Sequence, residues 1–294
     1  MSFRNERRKF PQSSSRQAGP KIGIALSCGG AKSLAHVGVI QVLEDHGIRA
    51  HAIAGSSMGA YIGALWAAGF DGRRLAELAA EFDTRRKLWK LADLSLIPRR
   101  GLVRGRRLRR LLERSLGDLR FSDLDTELAI VATRLGTLER KVIRRGRIVD
   151  AILASCAMPS IFVPVELDDG DEYVDGGLVA PLPVRELAEA DRIVAVNTLP
   201  DARSRPARAP GLLGAALDAI TAAQMRLAVQ AARRADLVLN PVCHDGHWRD
   251  YANFDHYIEL GRQAAIGELD SIRALAAPGP RPRRRGHFPL ALSS

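Results

Sequence analysis

The sequence predicts an α/β protein: a three-layer, mostly parallel, doubly wound sheet with helices on both faces. Three observations carry that prediction. Short apolar runs alternate with segments of helical periodicity along most of the chain. Two of those runs end in glycine-rich turns that lead directly into a helix. The 294 residues, 46% of them hydrophobic, are enough for one large core.

The elements follow in order. KIGIALS, from Lys21, is a short apolar run ending in glycines and reads as a buried strand. Ser33 to Glu44 places Leu34, Val37, Ile40, Val42 and Leu43 at helical spacing, with Gly47 as a stop. RAHAIAG is the second strand, and MGAYIGALWAAG the helix after it, closed by Gly69. Asp71 is placed to cap a helix that runs to Ala80. ELAIVATRL and ERKVIRR read as a hairpin or two neighbouring strands. IVDAILASCAM is helical and stops before Pro159. FVPVEL and EYVDGG flank an Asp/Gly turn and read as a hairpin. DRIVAVNTL and ADLVLNPV are strands on either side of an Ala-rich helix near 211–235, and a last helix is expected from about Asn253 to Leu275.

Residues 1–20 and 277–294 read as polar, Arg- and Pro-bearing tails around a folded unit at 21–276. The segment 85–120 stands apart as a basic, cap-like insertion with Leu88, Trp89, Leu91, Leu94, Leu96 and Ile97 interleaved among arginines and lysines. Its leucines either dock on the core, as most such stripes do, or form an amphipathic face that rests on an anionic membrane. The formal net charge of +11 is read in two ways, as favouring an anionic partner or as a solvated, Arg-rich surface. No nucleic-acid-binding motif accompanies the charge, so only unspecific phosphate contacts are expected there. Cys28, Cys156 and Cys243 form no C-x-x-C pair, so neither a zinc ribbon nor a disulfide framework is indicated. The first twenty residues lack an apolar signal-peptide run, and no stretch is apolar enough for a membrane span. The expected location is cytoplasmic, peripheral at most to a membrane.

Three motifs carry chemistry. In Gly55-Ser56-Ser57-Met58-Gly59, a serine sits on a sharp turn between strand and helix, with glycines on both sides to permit strained dihedrals and close approach. The helix opening at Met58 points its positive end at Ser57, where it helps an oxyanion. The alternative is an ordinary turn with Ser57 as a helix cap. Gly29-Gly30-Ala31-Lys32 follows the first strand and exposes backbone N–H groups able to hold phosphate or a developing oxyanion. It matches neither a phosphate-binding G-x-x-x-x-G-K-[ST] loop nor the dinucleotide fingerprint, since Cys28 and Ser33 occupy the outer glycine positions of the latter. Asp175-Gly176-Gly177 follows a strand-like EYV; taken alone it is a common turn former.

Together the motifs resemble the patatin-like phospholipase family in its compact bacterial form. Strand–GGAK–helix, strand–GSSMG–helix, A-S-x-x-x-P before a strand, and DGG-L-V-x-P-L-P-V occur in the family's order, and the resemblance covers about residues 21–265. It implies a patatin-like hydrolase domain with a Ser–Asp dyad: Ser57 as nucleophile, Asp175 as the residue that takes its proton. It also implies an oxyanion loop of Gly29, Gly30 and Ala31, with Lys32 where the family carries Arg or Lys. The implied substrates are acyl esters of lipids, and no metal or organic cofactor is required. Cys28 and Ser33 stand where the family usually has glycine, which bears on the loop's shape; the retained Gly29-Gly30 pair argues against loss of activity. Two other readings remain. In a Ser–acid–His hydrolase, Asp175 with His244 or His247 would fit the chain order. A non-catalytic adaptor would use the basic insertion and tails alone. His36 reads as a packing residue.

Overall fold

Five strands run parallel through the centre of the sheet in the computed structural model. They are β1 (Ile22–Leu26), β2 (Ala52–Ser56), β3 (Glu127–Arg134), β7 (Arg192–Val196) and β8 (Leu237–Leu239), lying side by side as β3-β2-β1-β7-β8. Three further strands, β4 (Arg140–Ile143), β5 (Val165–Glu166) and β6 (Glu172–Asp175), add antiparallel pairing around β3. The structure describes residues 19–81, 93, 101–200, 211–241 and 250–280. Outside them lie most of both expected tails, the apolar residues Leu88 to Ile97 of the basic insertion, Cys243, His244 and His247.

Strand alternation explains the layers. Ile22, Ile24 and Leu26 of β1, Ile53 of β2, Leu128 and Ile130 of β3, and Val194 and Val196 of β7 all face one large core. The helices α1 (Ala35–Asp45), α2 (Met58–Ala67), α3 (Gly72–Ala80), α4 (Arg106–Leu116), α5 (Ile148–Ser155), α7 (Phe254–Gly267) and α8 (Leu269–Ala276) pack there. The intervening positions, Ala25, Ala52, Ala54, Ala129 and Ala195, are small and face a second cluster, completed by Leu187 and by Ala228 and Ala232 of α6 (Gly211–Ala232). Both faces are therefore covered, one by large side chains and the other by an alanine layer.

Most predicted elements are present, with three adjustments. The chain opens the first helical segment with a 3-10 turn over Gly30–Leu34 before α1 starts at Ala35. The helix expected to reach Met158 ends at Ser155. The last helix is two, broken at Glu268, where φ −112 and ψ 16 leave the helical region. Asp71 caps α3 as expected, accepting from Arg74 N–H at 2.8 Å.

In α4, two stripes at i, i+4, i+8 spacing lie on opposite sides. Leu112 and Leu116 are buried in the core and Leu108 packs against it, while Arg106, Arg110 and Arg114 are exposed. In α4 the basic insertion thus docks by Leu108, Leu112 and Leu116 and turns Arg106, Arg110 and Arg114 outward.

Helices α1 and α7 approach closely enough to notch. A Cβ added at Gly38 would fall 1.9 Å from the Ile258 carbonyl oxygen, and one at Gly261 would fall 1.9 Å from that of Ala35. Only glycine fits either position.

Candidate active site

Parallel pairing brings the first two motifs to one edge. Leu26 of β1 lies opposite Gly55 of β2, so the loops that follow these strands emerge side by side at their carboxyl ends, where ligand sites of open α/β sheets form. The serine turn is as tight as its sequence predicts. A Cβ at Gly55 would lie 2.6 Å from Ala60 N, and one at Gly59 would lie 2.4 Å from the Leu26 carbonyl oxygen. Between them Ser57 adopts φ 54 and ψ −125, a left-handed conformation that a non-glycine residue holds only under constraint. Ser57 occupies the N-cap position of α2 without making a side-chain cap bond. Its hydroxyl instead donates to Asp175 Oδ2 at 2.5 Å.

Asp175 arrives by a longer route, through β3. Along one edge β3 pairs with β4 over Ile130–Thr133. The other edge is shared end to end: β2 occupies it through Ser56 opposite Val131, and β6 takes over with Asp175 opposite Ala132. Asp175 therefore lands one residue beyond the point where β2 stops and the serine turn begins. Its backbone is clamped on both sides, N–H donating to Ala157 O at 2.9 Å and carbonyl accepting from Thr133 Oγ1 at 2.8 Å. Oδ1 accepts from Gly177 N–H at 2.7 Å, so the Asp-Gly turn and the contact with Ser57 coexist. Burial pushes the Asp175 carboxyl up to about 6, opposed by the Ser57 and Gly177 hydrogen bonds.

The glycine loop sits beside this pair. Gly29 and Gly30 are half-buried, Ala31 and Lys32 buried, and Met58 half-buried. The two departures from glycine have structural partners. Ser33 Oγ and Ser27 Oγ lie 3.2 and 3.1 Å from Thr198 Oγ1, and Thr198 N–H donates to Ser27 Oγ at 2.9 Å. Cys28 is buried with its sulfur against Gly177. Burial and, secondarily, the charge of Asp175 raise its thiol well above the usual range, which keeps it protonated. His36 lies behind the loop, fully buried, its Nε2–H donating to Ser27 O at 2.9 Å. Desolvation lowers its ring to about 4, so it is neutral at pH 7. Its Nδ1 has no hydrogen-bond partner among the described residues, so the packing residue read from the sequence is only half satisfied there.

Two contributors went unassigned in the sequence. Ser155 accepts from Ser57 N–H at 2.8 Å and donates to Val131 O at 2.6 Å. Thr198 ties the glycine loop to the end of β7. The local signals were a hydroxyl at the end of an otherwise apolar run and, for Ser155, its place in the A-S-x-x-x-P motif, which assigned it no role. Next to the 155–163 segment, a cavity of about 70 Å3 is lined by Arg104, Arg106 and Arg109 on one side and Cys156, Ala157 and Phe162 on the other. Among the described residues no cluster of His, Cys, Asp and Glu has the makings of a metal site, and no helix is long and apolar enough to cross a membrane.

A doubly wound sheet that sets a strained serine, a buried aspartate and a glycine loop on one edge is the arrangement of a known class. A sequence model described as patatin-like phospholipase matches residues 24–188, more than half of the chain, and the chain belongs to that family. Among relatives, an uncharacterized NTE family protein of Mycobacterium bovis is 37% identical over 193 residues, 64% of this chain and 52% of the relative. A protein named lysophospholipase NTE1 from Candida glabrata is 29% identical over 171 residues, 58% of this chain and 10% of its own length. The chain thus spans about half the length of the mycobacterial relative. Among solved structures, VipD from Legionella pneumophila superposes with a TM-score of 0.50 at 16% identity, covering 86% of this chain and 67% of VipD. At that identity the likeness is one of fold.

Proposed function

We propose that this protein is a serine acyl hydrolase that cleaves acyl esters of lipids, with Ser57 as nucleophile and Asp175 as its base. The direct Ser57 Oγ–Asp175 Oδ2 hydrogen bond of 2.5 Å carries the reading. A serine hydroxyl attacks an ester only when a base accepts its proton, and a carboxyl lifted toward neutrality is a better base than an ordinary one. Asp175 takes the proton as Ser57 Oγ bonds to the ester carbonyl carbon. Backbone N–H groups of Gly29 to Ala31, with the positive end of α2 at Met58, hold the oxyanion. Collapse releases the alcohol, which leaves with the proton from Asp175. Water then attacks the acyl-enzyme, Asp175 accepting its proton and returning it to Ser57 as the fatty acid departs. The contact favours a dyad over a Ser–Asp–His triad, since it leaves no room for an imidazole between the two residues. A relative named lysophospholipase supports lysophospholipids and related lipids as substrates. The hydrolase domain of this reading runs from 21 to 276.

A fluorophosphonate probe tests it. The native chain is expected to be labelled and Ser57→Ala not. Equal labelling of the two removes Ser57 from the reaction, and a folded native chain that resists labelling favours the adaptor reading.

The exposed Arg106, Arg110 and Arg114 stripe supports peripheral contact with an anionic bilayer, each arginine near such a surface contributing about 1 kcal/mol. Cosedimentation with phosphatidylserine vesicles is expected to weaken steeply as salt is raised. Reversing all three charges to Glu is expected to weaken it by about tenfold or more. Binding indifferent to salt and lipid charge would exclude this surface while leaving the hydrolase reading intact.

A further inference from the structure

At the end of the β2–β3 ladder Ser56 lies opposite Val131. One more parallel ladder bond would run from Ser57 N–H to the Val131 carbonyl. Ser155 Oγ is inserted between those two groups, accepting from the first at 2.8 Å and donating to the second at 2.6 Å. Its side chain is fully buried at the last turn of α5, where both bonds can be held without competition from water.

We propose that Ser155 is a positioning residue for Ser57: its hydroxyl wedges the chain off the strand path, holds the strained turn, and aims Ser57 Oγ at Asp175. The inference rests on the dyad reading. The wedge explains why a non-glycine residue persists at φ 54, a conformation costing roughly 1–3 kcal/mol unless its surroundings impose it. It also uses up the Ser57 N–H, so oxyanion donors come from the loop at 29–31 and the start of α2 and not from the nucleophile's own amide. Without the hydroxyl, Ser57 N–H closes on Val131 O directly and draws the side chain away from Asp175.

The test compares Ser155→Ala and Ser155→Cys with the native chain, using a 4-nitrophenyl acyl ester and the fluorophosphonate probe. Cysteine preserves most of the buried volume, and its sulfur is a poor hydrogen-bonding substitute. Both variants are expected to lose about a hundredfold in kcat, the order set by misplacement of a reacting group by about 1 Å, with KM within threefold. Labelling rates should fall in parallel. The midpoint of the pH–rate profile should rise, because Asp175 loses the Ser57 hydrogen bond that holds its carboxyl down. Ile272→Ala, in the core under α8 and remote from the site, serves as a destabilised control. A folded Ser155 variant with kcat within threefold of native, or an Ile272→Ala variant that loses as much activity for the same fall in Tm, overturns the proposal. A native chain that neither labels nor turns over ends the hydrolase reading, and the role of Ser155 with it. A native chain that does both while the Ser155 variants stay near native ends this inference alone.

Discussion

Asp175→Asn is expected to fold, to lose turnover by about a thousandfold or more, and to be more stable than the native chain above pH 7. The activity loss follows from removing the base: the amide keeps the shape and can still accept from Gly177 N–H, but it cannot take the Ser57 proton. The stability gain follows from the sign of the shift. Burial raises the carboxyl from 3.8 to about 6. A group raised on folding contributes stability below its unfolded value and loses that contribution as pH rises through the folded value. Asp175 is 2% exposed, so its ionised form above pH 6 is held against a penalty of up to about 3 kcal/mol. Asparagine never ionises and escapes it. Urea melts at pH 4 and pH 8 should show the variant gaining on native only at pH 8, while native turnover climbs with pH through about 6. A variant that turns over like native would return the base role to a histidine; one less stable at pH 8 would place the carboxyl in a more solvated setting.

The largest expected effect on stability lies elsewhere. Gly38→Ala is expected to lower stability by about 3 kcal/mol or more, and Tm by roughly 10 °C, because its Cβ would be 1.9 Å from the Ile258 carbonyl oxygen. The obstacle is helix backbone, which cannot swing aside as a flexible side chain would, so α7 must back away from α1 along its length. Alanine is ordinarily the better helix former by about 1 kcal/mol, so a measured gain, or a loss below 1 kcal/mol, would mean that the two helices separate readily. Gly261→Ala, with its Cβ 1.9 Å from the Ala35 carbonyl oxygen, should behave alike.

What could be read from the sequence was local. The strands before the two glycine turns, the alanine-rich helix, the Asp71 cap and the Ser57 turn each lie within a few neighbouring residues, and their spacing states the backbone they need. Asp175 was legible as a turn and, through the family resemblance, as a partner for Ser57. Its route was not: nothing in EYVDGG says that β6 continues the edge of β3 that β2 vacates. The Ser155 wedge joins residues 98 apart, and the Ser27–Thr198 bond residues 171 apart. Such contacts leave no periodic trace. The break at Glu268 was missed because Gly267 and Glu268 interrupt a hydrophobic stripe that resumes in phase enough to read as one helix. The three small-side-chain positions Ala25, Ala54 and Ala195 follow a similar rule: alanine in a strand reads as weak strand propensity, whereas here it makes room for Val184 and Leu187.

The end-to-end sharing of one β3 edge bears on how this scaffold tolerates growth. Ser56, the residue before the nucleophile, and Asp175 are set one rung apart on the same rail, so their separation is fixed by the repeat of a strand and not by the path connecting them. The stretch between α2 and β3 can lengthen or shorten without moving either group, and so can the chain between β4 and β6 outside the segment that carries Ser155 and Ala157. Insertions there alter what surrounds the pair and leave its spacing untouched. A lineage built on this plan is free to vary its substrate-facing segments while its reactive centre stays in register.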